Sequence, residues 1–158
     1  MRKKIVAMII ATSLAIGIFP MIPTEQVRAA EEIITVDGSA LLEDAEASIG
    51  EIDVQTKGQY LQSGNCKIVK SGTGKITVGG TTIAQQKVSN IKVAITVERL
   101  INGSWWSYTS WSASKVDAYS VTTSKTLTVP RGYYYRVTAM HNANSDRGNS
   151  NTNALYVE

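Results

Sequence analysis

One cysteine, Cys66, and one histidine, His141, are all that the chain holds of the side chains best suited to bind zinc or to pair as nucleophile and base. A structural zinc site draws several such ligands from closely spaced positions, so it is excluded. Cys66 has no second cysteine for an internal bridge, and in an oxidising compartment it is either buried or open to pairing between chains. Burial is the expected state, because a free cysteine behaves as a small hydrophobe. Cys66 lies in a strand-like run with no helix start to stabilise a thiolate, and no local signature surrounds it. Acids are scarce too: beyond Val54 only Glu98, Asp117, Asp146 and Glu158 remain. Glycoside hydrolysis needs two positioned carboxyl groups, and Glu98 with Asp117 is the one pair worth checking. Calcium needs several oxygen ligands, whereas Asp146 is the sole acid of its segment. No Gly-x-Ser-x-Gly elbow or P-loop occurs, and "SGTGK" lacks the first glycine spacing and the following helix that phosphate binding requires. No catalytic residue, cofactor or metal is therefore expected, and the chain does not read as an enzyme.

Met1-Arg2-Lys3-Lys4 precedes an uncharged apolar run from Ile5 to Phe19, broken by Pro20 and Pro23, with Val27 and Ala29 at the small-residue positions of a cleavage site. This pattern predicts a secretory signal peptide over residues 1–29. The run is shorter than the roughly 20 apolar residues of a spanning helix. The mature protein is expected to be secreted and extracellular, without membrane insertion, lipid anchor or sorting tail. From Ala30 onward the chain has 12 Lys and Arg (16 less Arg2, Lys3, Lys4 and Arg28) against 12 Asp and Glu (13 less Glu25). A net charge of zero gives no reason to expect nucleic acid as a partner.

That neutrality hides an asymmetry, since Glu31 to Asp53 contains eight acids and no base. Residues 30–57 read as an acidic leader, partly disordered, with a short helix around Leu41 to Ala47. It is either a solvated segment or a detachable cover over a basic face. Residues 58–158 carry no helical periodicity and form one domain. Ile91, Val93, Ile95 and Val97 alternate with Lys92, Ala94, Thr96 and Glu98, the period of a half-buried strand. Asn102-Gly103 tolerates the positive φ of a type I′ turn, so Val93 to Ile101 and Ser104 to Trp111 should pair as a hairpin. With the runs around "NCKIVK", "GKITVGGTTIA", "DAYSVTT", "KTLTVP", "YYYRVTAMH" and "NALYVE", the fold expected is all-β: an antiparallel β-sandwich of about 7–8 strands.

"LTVPRGYYYRVTAMHNANSDRGNSNTNALYVE" resembles the last three strands of a fibronectin type III or related immunoglobulin-like domain. The resemblance implies that Tyr133, Tyr135, Val137 and Ala139 point inward, while Tyr134, Arg136, Thr138 and Met140 point outward. One of Tyr133 and Tyr135 is then expected to anchor its hydroxyl on backbone near the corner. The wider run "GTGKITVGGTTIAQ…VERLINGSWWSYTSW…GYYYRVTAMHNA" is similar to an uncharacterised family, a domain of unknown function, of small secreted proteins of Gram-positive bacteria. It implies a fold and no activity.

The candidate ligand-binding residues are Tyr134, Arg136, Trp106, Tyr108 and Asp146. Tyr134 beside Arg136 on a sheet surface can stack on a sugar or meet a partner protein. Trp105 and Trp111 are six residues apart and should share one face, with Trp106 and Tyr108 on the other, so one pair should be partly exposed. Asp146 lies in "NANSDRGNSNTN", Asn142 to Asn153, read as a polar loop at one end of the sandwich, where such folds carry recognition. His141 is expected to end its strand and hydrogen-bond into that loop. The functional reading is a secreted binding module for a glycan or a cell-surface protein. The alternative is a secreted effector such as a bacteriocin or an inhibitor protein, and oligomeric state is left open.

Overall fold

The computed structural model describes residues 33–52 and 58–158. The signal peptide expected over residues 1–29 lies outside them, as do the first residues of the leader and residues 53–57. Eleven strands follow in chain order: β1 Thr35–Val36, β2 Ser39–Leu42, β3 Ala47–Glu51, β4 Leu61–Lys70, β5 Lys75–Val88, β6 Ile91–Ile101, β7 Ser104–Lys115, β8 Ala118–Thr128, β9 Tyr133–Ala143, β10 Asp146–Asn151 and β11 Ala154–Val157. No helix occurs among the described residues.

The strands form two sheets. Seven strands follow the order β1-β2-β11-β9-β6-β7 with β10 also paired to β9, and four follow β3-β4-β5-β8. The chain crosses between the sheets after β5, returns after β7 and crosses again after β8, which sets β5 beside β8 and β6 beside β9. This is the crossing pattern of an immunoglobulin-like sandwich, here with more strands than the 7–8 expected. Part of the excess comes from the end of the chain, where β10 and β11 run as one interrupted strand along β9. At the break, Thr152 donates its N–H to the Val137 carbonyl and accepts the Val137 N–H on its hydroxyl, both at 2.9 Å.

The rest comes from the leader, whose described part is built into the sandwich. Leu41 and Leu42 lie in β2 and Ala47 opens β3, so the expected helix is replaced by strands. Asp37 and Gly38 both have positive φ, 47° and 77°, and close β1 onto β2 with the chemistry that Asn102 and Gly103 (50° and 76°) supply between β6 and β7. β2 runs parallel to β11, with Ala154 facing Leu41. Ser39 donates its hydroxyl to the Thr152 carbonyl at 2.9 Å, and Asn153 accepts the Ala40 amide at 3.1 Å. The leader is joined to the body mainly by backbone pairing. Among the described residues, its acids add no ion pair to a base of the body: Glu43 takes the Lys70 ammonium on its carbonyl, and its carboxylate accepts the neutral Tyr134 hydroxyl. A detachable electrostatic cover is not what these residues form.

The core lies where Ile68, Ile76 and Val78 of the smaller sheet meet Val93, Ile95, Val97 and Val137 of the larger one, all fully buried. Each such side chain contributes about 2 kcal/mol by leaving water. Cys66 is buried and unbridged, its thiol directed at the Val137 carbonyl at 3.6 Å, and burial raises its pKa. His141 is also fully buried and does not reach into a loop. In the β9 register it faces Val93 on one side and Gly148 on the other, in phase with the core stripe. Thr82 spends its hydroxyl proton on the Lys92 carbonyl at 3.1 Å, so it accepts from Nδ1–H of His141 at 2.8 Å, and Nε2 accepts from the Ser150 hydroxyl at 2.9 Å. The network thus assigns the neutral tautomer. A Cβ on Gly64 would meet the imidazole at 2.6 Å, so a larger residue there would displace the ring.

Burial lowers the His141 pKa from 6.5 to about 4. The unfolded chain therefore takes up a proton near pH 6.5 that the folded protein refuses until about pH 4, and stability is full above pH 6.5 and falls as pH drops through that window. Urea unfolding should show a loss of about 3 kcal/mol from this group between the two values. His141→Gln, less stable at neutral pH, should flatten the slope; an unchanged slope would remove the histidine from the account.

Candidate functional site

β7 is an edge strand of the larger sheet, and its aromatic residues are sorted by one irregularity. Val97 faces Thr109 and Glu98 faces Ser107, which leaves Tyr108 as an extra residue in a β-bulge. The bulge reverses the alternation between its two sides. Trp111 faces Ile95 on the inner side, whereas Trp105, six residues away, lies on the outer side. The expected sharing of a face by Trp105 and Trp111 therefore fails. Trp106 faces Arg99, which itself faces the buried Tyr135, so Trp106 and Tyr108 stay together at the inner rim.

That rim is an aromatic cluster around Arg99. The guanidinium carbon stands 4.7 Å from the Tyr133 ring centroid and 5.7 Å from that of Tyr108. Tyr108 meets Tyr135 edge-on, with centroids 5.8 Å apart and planes at 81°. Tyr135 is the tyrosine of the corner: its hydroxyl donates to the Pro130 carbonyl at 2.7 Å, as the strand pattern implies. Burial raises the Tyr135 pKa, and hydrogen bonding to Arg99, then its charge, moderates the rise. Tyr133, expected in the core, sits on the same side but at the strand end, beyond the cover of the opposite sheet, and is 37% exposed. Trp106 is 61% exposed. The Arg99 Nε is buried and has no hydrogen-bond partner. Further along the same edge, Trp111 donates its indole N–H to the Thr123 hydroxyl at 3.0 Å, and the Lys125 ammonium lies 4.8 Å from its ring.

The other candidates lie elsewhere. Arg136 points outward, as its parity requires, but is not a free surface residue. The β1–β2 hairpin covers it: Nε donates to Glu98 at 2.7 Å, while Nη1 donates to the Asp37 carbonyl at 3.1 Å and to the Ser39 hydroxyl at 3.2 Å. Its guanidinium lies 4.4 Å from the Trp105 ring, whose indole N–H donates to the Val36 carbonyl at 3.1 Å. Arg136 is a clasp for the hairpin. Tyr134 packs on Tyr156 with centroids 5.1 Å apart, and its hydroxyl donates to Glu43 at 2.9 Å. Desolvation, then the Glu43 carboxylate, pushes its pKa up to about 12.

Asp146 opens β10 at the far end of β9 from Tyr133. "NANSDRGNSNTN" is mostly strand, since Gly148 and Ser150 turn inward beside the core while Arg147, Asn149 and Asn151 stay exposed. The Asp146 carboxylate accepts the amides of Tyr60 and, at 3.0 Å, Leu61. These two bonds, Leu61 first, hold its pKa low. The group pins the chain where it enters β4.

Glu98 and Asp117 do not meet. Glu98 lies seven residues along β6 from Ile91, which faces Lys115, and Asp117 follows at the turn into β8. The separation is roughly 20 Å or more along the strand. No group of three metal-ligating side chains occurs among the described residues. A depression of about 290 Å³ lined by Glu43, Asp44, Glu46 and Lys70 lies away from the aromatic rim. Arg99 and Tyr133 were absent from the sequence candidates. The signal for Arg99 was present: it continues the inward phase of Ile91, Val93, Ile95 and Val97 as a charge beside the hairpin turn.

The chain belongs to a family of unknown function, DUF6147, which matches residues 27–156. No curated protein matches it. Among solved structures it is similar to chicken MD-1 complexed with lipid IVa, at 11% identity over 72% of this chain and 94% of that one, with a TM-score of 0.32. It is also similar to Spo0M, a sporulation control protein from Bacillus subtilis, at 9% identity and a TM-score of 0.34, over 72% of this chain and 50% of that one.

Removal of the Glu98 carboxylate would leave the Arg136 guanidinium largely buried without its ion pair. Glu98→Ala should therefore cost about 2 kcal/mol in urea unfolding and speed proteolysis between Thr35 and Leu42. The double variant Glu98→Leu with Arg136→Met should recover part of the loss. A cost within about 0.5 kcal/mol would show that the clasp holds nothing.

Proposed function

We propose that the protein is a secreted, non-enzymatic binding module whose contact surface is the aromatic rim of Trp106, Tyr108 and Tyr133 around Arg99. The observation that carries this reading is the 61% exposure of Trp106 on an edge strand, beside tyrosines already held by neighbours. Tyr108 is held by Tyr135 and Arg99, and Tyr133 by Arg99, so their order does not have to be created on binding. Flat rings at a rim, rigid and half-wet, suit stacking against the apolar faces of sugar rings and disfavour enclosure of a small molecule. The ligand class is a glycan of a cell wall or extracellular matrix. Export is supported by the basic start, apolar run and small-residue cleavage pattern of residues 1–29.

Binding of the mature protein to a glycan array and to whole cell-wall preparations tests the reading. Trp106→Ala and Tyr133→Ala should each weaken binding about tenfold or more with the thermal midpoint nearly unchanged. Tyr134→Ala, on the opposite face of the sheet, should leave affinity unaltered. Loss of binding in Tyr134→Ala alone would move the site to the outer face, and no binding by the folded parent would turn the reading towards a protein partner or a growth-inhibiting effector.

A further inference from the structure

Two arginines on neighbouring strands of one sheet meet opposite fates. Arg136 has Glu98, a backbone carbonyl, a hydroxyl and an indole face, which leaves its charge fully matched. Arg99 has two phenol rings and no carboxylate, for the one ion pair among the described residues is Arg136 with Glu98. The remaining acids of the body are committed or distant. Asp146 holds the amides of Tyr60 and Leu61 at the other end of β9, Asp117 lies at the turn into β8, and Glu158 stands beside Arg131 and Tyr156. A guanidinium without a counter-ion, one of its nitrogens buried and unpartnered, is an expensive arrangement for an apoprotein to keep. Two π faces offset part of that cost and fix the plane of the fork. Beyond its contact with the Tyr135 hydroxyl, the guanidinium keeps further N–H donors that the rings do not satisfy, and their fork geometry matches a carboxylate or a phosphate.

We infer that Arg99 receives the anionic group of an acidic polysaccharide, a carboxylate or a phosphate, while Trp106 and Tyr108 stack on the adjoining sugar ring. This rests on the aromatic rim being the binding surface. Lys125 beside Trp111 offers a second cation further along the same edge, as a chain with repeated charge would use. Single-stranded nucleic acid also combines rings with negative charge. It is disfavoured because proteins that bind it track many phosphates with a continuous basic groove, and this edge carries three separated cations, Arg99, Lys125 and Lys115 at the end of β7, on a mature chain of net charge zero.

The experiment measures affinity of the mature protein for polygalacturonate, a phosphomannan, a neutral glucan and a single-stranded oligonucleotide, at about 0.05 M and about 0.5 M salt. Parent protein is compared with Arg99→Gln, Arg99→Lys and Trp106→Ala. The expected result is a preference of about tenfold or more for one of the two acidic polysaccharides over the neutral glucan, reduced by salt. Arg99→Gln should abolish the preference while weaker binding to the neutral glucan persists, and Arg99→Lys should retain part of it. The two acidic polymers separate carboxylate from phosphate. Equal binding of acidic and neutral glycans, unaffected by Arg99→Gln but lost in Trp106→Ala, overturns the inference and keeps the aromatic rim. Preference for the oligonucleotide, or binding to none of the four, overturns it as well, the latter together with the rim itself. Arg99→Gln and Arg99→Lys with the same thermal midpoint as the parent make the affinity change a property of the site.

Discussion

The unbroken pairing of β9 with β6 is the constraint on which the rest depends. Nine consecutive residue pairs, from Ile91 opposite Ala143 to Arg99 opposite Tyr135, hold one register without a shift. Because side chains alternate, that register assigns every residue of both strands to the core or the outside at once, and a slip by one would reverse all of them. It sends Val93, Ile95, Val97, Tyr135, Val137 and His141 inward together. It also sends Glu98 and Arg136 outward as direct cross-strand neighbours, where they form their ion pair.

The same ladder explains the difference between the two ends of the sandwich. Toward the β9 C-terminus, β10 extends the larger sheet beside β9, and the inward His141 is satisfied internally by Thr82 and Ser150. Toward the β9 N-terminus the inward phase continues one step past the apolar stripe, to Arg99. There the bulge at Tyr108 turns the edge strand, and rings take the place of an opposing core. The core ends in a charge, and the charge ends at solvent. Beyond the ladder, the β1–β2 hairpin covers the outer face at Arg136, whose charge is matched there, while Arg99 at the rim has no carboxylate partner among the described residues.

Much of this was legible in the chain. The alternation of Ile91 to Val97 and the Asn102-Gly103 turn follow from local pattern, since period and positive φ are properties of neighbouring residues, whereas the corner bond came from a resemblance that left Tyr133 and Tyr135 open and the structure gives it to Tyr135. Asp37-Gly38 carried the same turn signal as Asn102-Gly103, yet the acids around it suggested a solvated leader. Composition misled there because a strand in a sandwich needs only one apolar face, and the acids occupy the other side or the turns. The "NANSDRGNSNTN" segment misled in the same way, its polar residues outward and its small ones inward.

Sequence by itself determined the class of fold, the hairpin between β6 and β7 and the inward stripe, because these depend on alternation and turn chemistry. Tertiary structure alone decided which polar groups were left over. Parity separates the faces of Arg136 and Arg99 and of Trp105 and Trp106, but does not decide which arginine finds a carboxylate or which tryptophan is covered. Their roles separate only when β6, β9 and the hairpin bring a carboxylate, a backbone carbonyl and a hydroxyl to one arginine and two phenol rings to the other. The β-bulge, which depends on how two strands pair and not on either strand alone, then turns one tryptophan onto the clasp and the other into water.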